Sequence, residues 1–314
     1  MKDLHNREID YLRISVTDKC NFKCLYCKPS DMEDIEHTEI LTNEEIIAIV
    51  KEAVKTGVKK VRITGGEPMV RKDIYSLIEQ INQFDEIKEI VLTTNASLLK
   101  GNVKKLKDAG IKRVNISIDT FKNKTFKDIT NAKKPLDYLS VMEELKEHNL
   151  LPIKVNCVLL KGINDDEILD FYSLSKEKGI QVRFIELMPF ESNAFQYEDY
   201  YISKEDILQQ YPGFKFSHKN NNVEYYTFEN DQTTIGFINA ISEKFCESCN
   251  RLRLTSDGYL KPCLHSSKEI DIRNKKNEDL LHSIKMAINE KPEDHSLDKD
   301  YKKQSKRTMN KIGG

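Results

Sequence analysis

The sequence lacks any run approaching the roughly 18 apolar residues that a membrane span needs. It opens on Met1-Lys2-Asp3-Leu4-His5, without an apolar stretch of signal-peptide type, so a cytoplasmic protein with no membrane partner is expected. An excess of one charge is lacking too. Against 51 Asp and Glu stand 50 Lys and Arg, a balance that disfavours a nucleic-acid or anionic-membrane partner. Repeats and low-complexity tracts are absent. What is present is a solvated globular composition, 32% charged and 39% hydrophobic over 314 residues, enough for two domains or one large one. In a reducing compartment its seven cysteines are metal ligands, catalytic thiols or buried small hydrophobes rather than disulfides.

Up to about residue 190 the pattern alternates β-rich runs with amphipathic helices. Strands are predicted over 11–16, 59–64, 89–94, 112–118, 153–160 and 181–187. In the first intervening helix, Thr42 and Glu45 have capping-box spacing, Ile46, Ile49, Val50, Ala53 and Val54 form one stripe, and Gly57 ends it. Six βα units in series predict an α/β fold with a parallel sheet, either open and doubly wound or a partial barrel. The strands are also two-faced. Leu12, Ile14 and Val16 alternate with Arg13, Ser15 and Thr17; Val61 and Ile63 with Arg62 and Thr64; Val114, Ile116 and Ile118 with Asn115, Ser117 and Asp119. Helices cover the outer face of a parallel sheet, so the polar face predicts a wet interior, and Arg13, Arg62 and Lys154 predict an anionic ligand in it. Asn156 shares the Lys154 face, and Cys157 on the opposite face reads as a buried small hydrophobe.

Beyond residue 190 the alternation stops. Residues 220–222 predict a turn between short strands, 234–240 another strand, and the region from 274 a helix followed by a Lys-rich tail ending in Gly313-Gly314. The expected division is a barrel over 1–190 and a smaller α+β module with its tail over 191–314.

Two cysteine groups carry the chemistry. Cys20, Cys24 and Cys27 follow the first strand with C-x3-C-x2-C spacing, which can hold three irons of a cubane cluster and leave the fourth open. Zinc would need a fourth local ligand, and His37 is ten residues away. Cys246, Cys249 and Cys263 form the second group, where spacing alone admits either another three-thiolate cluster or a Cys3His zinc site completed by His265.

The first group, with Tyr26 before its last cysteine and Gly65-Gly66-Glu67-Pro68 after the second strand, resembles the signature of the radical S-adenosylmethionine (SAM) enzymes. The stretch from Cys246 to His265 and the closing Lys311-Ile312-Gly313-Gly314 resemble the GTP 3',8-cyclase branch, which begins molybdenum cofactor synthesis. Lys19 and Met69 depart from that branch's usual arginine and leucine. The resemblance implies a partial (β/α)6 TIM-like barrel whose C-terminal module carries a second iron-sulfur cluster. It implies two [4Fe-4S] clusters, ligated by Cys20, Cys24 and Cys27 and by Cys246, Cys249 and Cys263, with SAM on the first. Tyr26, Gly66, Ser117 and Met188 fall on positions that touch SAM. Arg13, Arg62, Thr93, Lys154, Arg251, Leu252 and Arg253 fall on GTP-binding positions. It further implies a 5'-deoxyadenosyl radical that takes the ribose 3' hydrogen of GTP, an electron donor such as flavodoxin or ferredoxin, and a downstream cyclic pyranopterin monophosphate synthase. Monomer and homodimer both remain open. Two other readings fit less of the sequence: a radical SAM peptide or protein modifier with an auxiliary cluster, and a zinc-stabilised RNA-binding protein.

Overall fold

The structure is a computed structural model that describes residues 1–28, 35–189, 197–229, 231–295 and 307–313. Its strands are β1 (Tyr11–Ser15), β2 (Lys60–Thr64), β3 (Glu89–Thr94), β4 (Arg113–Ser117), β5 (Lys154–Val158), β6 (Gln181–Ile185), β7 (Phe214–Asn220), β8 (Val223–Phe228), β9 (Thr234–Ile238), β10 (Arg251–Leu254), β11 (Tyr259–Lys261) and β12 (Ile270–Asp271). The helices are α1 (Asn43–Val54), α2 (Ile74–Asn82), α3 (Val103–Ala109), α4 (Asn123–Thr130), α5 (Tyr138–Glu147), α6 (Ile168–Lys178), α7 (Tyr197–Tyr200), α8 (Lys204–Gln210), α9 (Asn277–Asn289) and α10 (Met309–Ile312).

All six N-terminal strands lie within the predicted runs, paired in parallel and in sequence order from β1 to β6. Their odd/even alternation sends Leu12, Ile14, Val61, Ile63, Val114 and Ile116 outward under the helices, where all are fully buried. Each such side chain stabilises the fold by about 1.5–3 kcal/mol. The capping box on α1 forms as expected, Thr42 accepting from the Glu45 amide while the Glu45 carboxylate accepts from that of Thr42. Ile46, Ile49, Val50 and Ala53 face the core. Helices α3 and α6 stop where Gly110 and Gly179 take the left-handed conformation, and Asn131 does the same for α4.

Periodicity did not foretell how the C-terminal strands join the rest. β10 pairs in parallel with β1 and β9 in parallel with β6, so strands from past residue 190 extend both edges of the barrel into one twelve-stranded sheet. An open barrel has two edges of unpaired N–H and C=O groups, and these strands cover them. The antiparallel β7–β8 hairpin turns at Asn221, whose φ of 52° suits asparagine, within the expected turn. The expected division at 190 falls at residues outside the described set. None of the helices, among the described residues, is long and apolar enough to cross a membrane.

Candidate active site

Inside the barrel the other half of the alternation lines a cavity of about 340 Å³ that reaches both cysteine groups. Register places Arg13 of β1 opposite Arg253 on one side and Arg62 on the other, so three guanidinium groups occupy adjacent positions across three strands. Asn156 pairs in register with Arg183. Adjacent like charges repel, and the effect shows in Arg13 and Arg253 and in their neighbours Arg183 and Lys154. Burial, then Arg253 and Arg62, push Arg13 well below its ordinary range. Burial and neighbouring arginines bring Arg183 and Arg253 to about 10. Lys154 falls to about 8 through burial, then Arg183, Arg113, Lys60 and Arg62. Guanidinium does not give up its proton at neutral pH, so an anion in the cavity is what relieves the repulsion. Polar groups wait for a ligand there. Arg183 Nε is a buried donor with no hydrogen-bond partner among the described residues, and Asn156 Oδ1 is a buried acceptor likewise unpaired, suited to a ligand's N–H or O–H rather than to its anionic oxygens. Arg62 is fixed by Thr93 Oγ1 at 3.0 Å and by the Tyr11 hydroxyl.

The first cysteine loop is held against the glycine segment after β2. The Gly66 amide donates to the Thr17 carbonyl at 2.8 Å and that of Glu67 to the Lys19 carbonyl at 2.9 Å. A Cβ on Gly66 would collide with the carbonyl oxygens of Asp18 and Lys19, so only glycine permits this approach. The Glu67 carboxylate is fully buried and accepts from Thr94 Oγ1 and the Asn95 amide, each at 2.7 Å; burial pushes it up to about 7. At the sulfurs, Cys20 accepts from the Phe22 amide at 3.4 Å and Asn95 Nδ2 at 3.8 Å. Burial pushes the Cys20 thiol up to about 11 and the Cys27 thiol to about 12. Such thiols ionise only when a metal takes the proton's place, and N–H donors at sulfur suit a metal-bound thiolate. Tyr26 donates to Asp119 at 2.7 Å, which also accepts from the Val158 amide at 2.9 Å and is pushed up to about 6 by burial.

The second group begins in a 3-10 turn, Cys246–Ser248, whose carbonyl at Cys246 accepts from the Cys249 amide at 3.1 Å. β10 follows at once, and Cys263 follows β11. Burial raises the Cys249 thiol, but Lys291 and Arg251 outweigh it and bring the group below its ordinary value. His265 packs edge-on against His295, ring centroids 5.1 Å apart. Among the described residues no three Cys, His, Asp or Glu side chains converge as the ligands of a single ion do. A cubane places each thiolate on a different iron and needs no such convergence.

Across both groups runs the tail. Arg307 pairs with Asp257 and Glu269 at 2.7 and 2.8 Å, the Asn310 side chain donates to the Asp18 carbonyl at 2.9 Å, and the Asn310 amide reaches the Cys27 sulfur. The Gly313 carbonyl accepts from Arg253 Nη1 at 2.7 Å. Gly313 has φ 81°, and a Cβ there would stand 2.7 Å from Thr64 Cγ2. Gly314 lies outside the described residues.

Family models match residues 14–175 as the radical SAM superfamily and residues 180–297 as Molybdenum Cofactor Synthesis C. Proteins named GTP 3',8-cyclase from Clostridium botulinum, Alkaliphilus oremlandii and Clostridium perfringens are each 45% identical to the chain, covering all of it and all of their own length. The chain belongs to the GTP 3',8-cyclases. Membership in the radical SAM superfamily brings a [4Fe-4S] cluster and SAM. The fold agrees: Streptococcus suis SuiB bound to S-adenosylmethionine superposes with a TM-score of 0.61 at 17% identity, over 90% of this chain and 69% of that one.

Of the positions that the GTP 3',8-cyclase resemblance nominates, the structure brings all six cysteines, Tyr26, Gly66, Ser117, Met188, Arg13, Arg62, Thr93, Arg251 and Arg253 to one cavity wall. Two stand off it. Leu252 points its side chain into the core, as alternation between Arg251 and Arg253 demands, and Lys154, half-buried on the Asn156 face of β5, does not reach the cavity lining. Arg183, Tyr11 and Lys291 line the cavity without having been nominated. The signal for Arg183 was available, since Gln181, Arg183 and Ile185 alternate with Val182 and Phe184 as in the neighbouring strands. Lys291 lies outside any strand, and nothing in its local sequence marks it. Cys157 is fully buried, as expected, its sulfur 3.6 Å from the Asp119 carbonyl.

Proposed function

We propose that the chain converts GTP to 3',8-cyclo-7,8-dihydro-GTP, with the ribose 3' hydrogen removed in the cavity between the two cysteine groups. The observation that carries the reading is one cavity bounded by both thiol triads and walled by Arg13, Arg62, Arg183, Arg251 and Arg253. Cys20, Cys24 and Cys27 would hold the first cluster and Cys246, Cys249 and Cys263 a second. When bound, the first cluster with SAM supplies the hydrogen-abstracting radical chemistry.

The chain's own residues do the rest. Tyr26, Gly66, Ser117 and Met188 lie where the methionine and adenosine parts of SAM would be gripped. Tyr26 is steadied for that task by Asp119. The arginine row, with Thr93 and Lys154 beside it, neutralises the triphosphate, and each guanidinium offers a planar fork of donors to phosphate oxygen. Leu252 can contribute only its main chain, and its strand sets the aim of Arg251 and Arg253. The walls hold the ribose in reach of the first triad and keep water from a reactive intermediate. Residues 1–190 would thus carry the SAM chemistry and residues 191–314 the second cluster and much of the GTP grip. The electron donor is of flavodoxin or ferredoxin type, and the product passes to a cyclic pyranopterin monophosphate synthase.

The test is anaerobic reconstitution followed by incubation with dithionite, SAM and GTP, with 5'-deoxyadenosine and cyclised nucleotide followed by mass spectrometry. Both products rise together if the reading holds. 5'-Deoxyadenosine with no GTP-derived product would move the substrate elsewhere.

A further inference from the structure

Lys291 is a buried cation whose counter-charge is missing from its own surroundings. Its ammonium donates to the carbonyls of Arg251 and Pro262, both at 2.9 Å, and to the Cys249 sulfur. Among the described residues no carboxylate pairs with it. A buried ammonium needs compensation, and among the described residues two main-chain carbonyls and the Cys249 sulfur are the acceptors it is given. A thiolate at Cys249, ligating a cluster, would supply the counter-charge at the sulfur that Lys291 already touches.

Its placement is equally specific. Arg251 begins the strand after Cys249, and Pro262 immediately precedes Cys263, so one side chain ties together the segments that bear two of the three thiols. The third is reached from the same stretch of chain, because the His295 amide donates to the Cys246 sulfur. Arg7 fastens this stretch in turn, donating to the carbonyls of Pro292 at 2.6 Å, Glu293 at 3.0 Å and Cys246 at 2.8 Å. Residues 291–295 are therefore a belt that touches every thiol segment of the second group.

We infer that Lys291 is a positioning residue of the second metal centre, holding its ligand segments in register and setting one positive charge against the sulfur of the cluster bound there. The inference rests on reading Cys246, Cys249 and Cys263 as ligands of a second cluster. A cation and hydrogen-bond donor at a ligating sulfur favours the more reduced, more negative state, and outer-sphere partners of this kind govern both retention and potential of a cluster.

Three variants of the full chain, reconstituted anaerobically, separate the two roles. Lys291→Gln keeps a donor for the carbonyls and loses the charge, Lys291→Met loses both, and Lys291→Arg keeps both. Iron and acid-labile sulfide per chain report retention, and redox titration followed by electron paramagnetic resonance reports each cluster's potential. SAM cleavage to 5'-deoxyadenosine without GTP reports the first site alone. Expected are a second-cluster potential moved negative in the Gln variant and iron reduced to about half in the Met variant. The Arg variant should restore both quantities, and SAM cleavage should be unchanged throughout. A Gln variant with wild-type iron and wild-type potential overturns the inference, as does equal loss of both clusters in the Gln and Met variants. A wild-type chain that holds one cluster overturns the two-cluster reading and the inference with it.

Discussion

At the scale of single residues the site is defined by charge held at a cost. In the proposed GTP site, Lys154, depressed to about 8, is the group whose protonation should respond to the ligand. A bound polyanion favours the ammonium, so in the unliganded protein the fraction ready to bind falls as pH rises through about 8. Affinity for GTP measured by calorimetry should therefore weaken above that pH, and Lys154→Met should flatten the dependence. A pH profile identical in the variant would remove Lys154 from the site. The same depression works on stability in the opposite sense. The folded pKa lies below the unfolded one, so the unfolded chain binds more protons between about 8 and 10.5, and the contribution of Lys154 to stability rises with pH across that window. Arg253 donates to the Gly313 carbonyl and, in the proposed site, would also hold the ligand. A hydrogen bond to a charged group is worth about 1.5–3 kcal/mol, so Arg253→Ala should weaken GTP binding by about tenfold to a hundredfold in the same calorimetric experiment.

At the scale of elements the decisive features are close approaches of one segment to another. The Gly66 segment lies so near the carbonyls of Asp18 and Lys19 that a methyl group has no place. Gly66→Ala should displace the first cysteine loop and, with the proposed second cluster retained, cut iron per chain to about half, as read by iron analysis. Full iron in that variant would show that the loop can move aside. This element was legible in the sequence, because glycines at the end of a strand and a three-cysteine loop are local patterns. The row formed by Arg253, Arg13 and Arg62 was legible only in part. Alternation marked Arg13 and Arg62 as sharing a face with neighbouring polar residues, but that Arg253 stands beside them follows from β10 pairing with β1 across some 240 residues of chain. Nothing local encodes that pairing. Arg183 was missed although its strand alternates like the others, and Lys291 could not have been found, since it acts through a side chain that reaches carbonyls distant in sequence.

At the scale of the whole molecule, the arginines gathered on one cavity wall repel one another, and a bound polyanion should relieve that repulsion. Inorganic tripolyphosphate, at about a hundredfold excess over its Kd, should stabilise the fold by about 2.7 kcal/mol, which raises Tm by roughly 4 °C in a chain of this size. The increment should shrink with added salt, and calorimetry that shows no shift at low salt would contradict a triphosphate site. The tail belongs to this scale as well, because it spans from the Asp257 and Glu269 ion pairs to the Cys27 loop and Arg253. Removing Gly313 and Gly314 should lower turnover by at least about tenfold while iron per chain is unchanged, as measured by product formation against iron content.

By itself the sequence determined the strand and helix succession, the polar face of the barrel strands and the two thiol triads, for each is written in neighbouring residues and their period. Only the tertiary structure decided that β9 and β10 complete the barrel's edges, that Arg183 and Arg253 join the same cationic wall, and that the tail and residues 291–295 bind the two cysteine sites into one cavity. The physical reason is range. Periodicity and capping act over a few residues, whereas a charge row, a buried ammonium and a carbonyl on a distant guanidinium exist only once the chain has brought remote segments within hydrogen-bond distance.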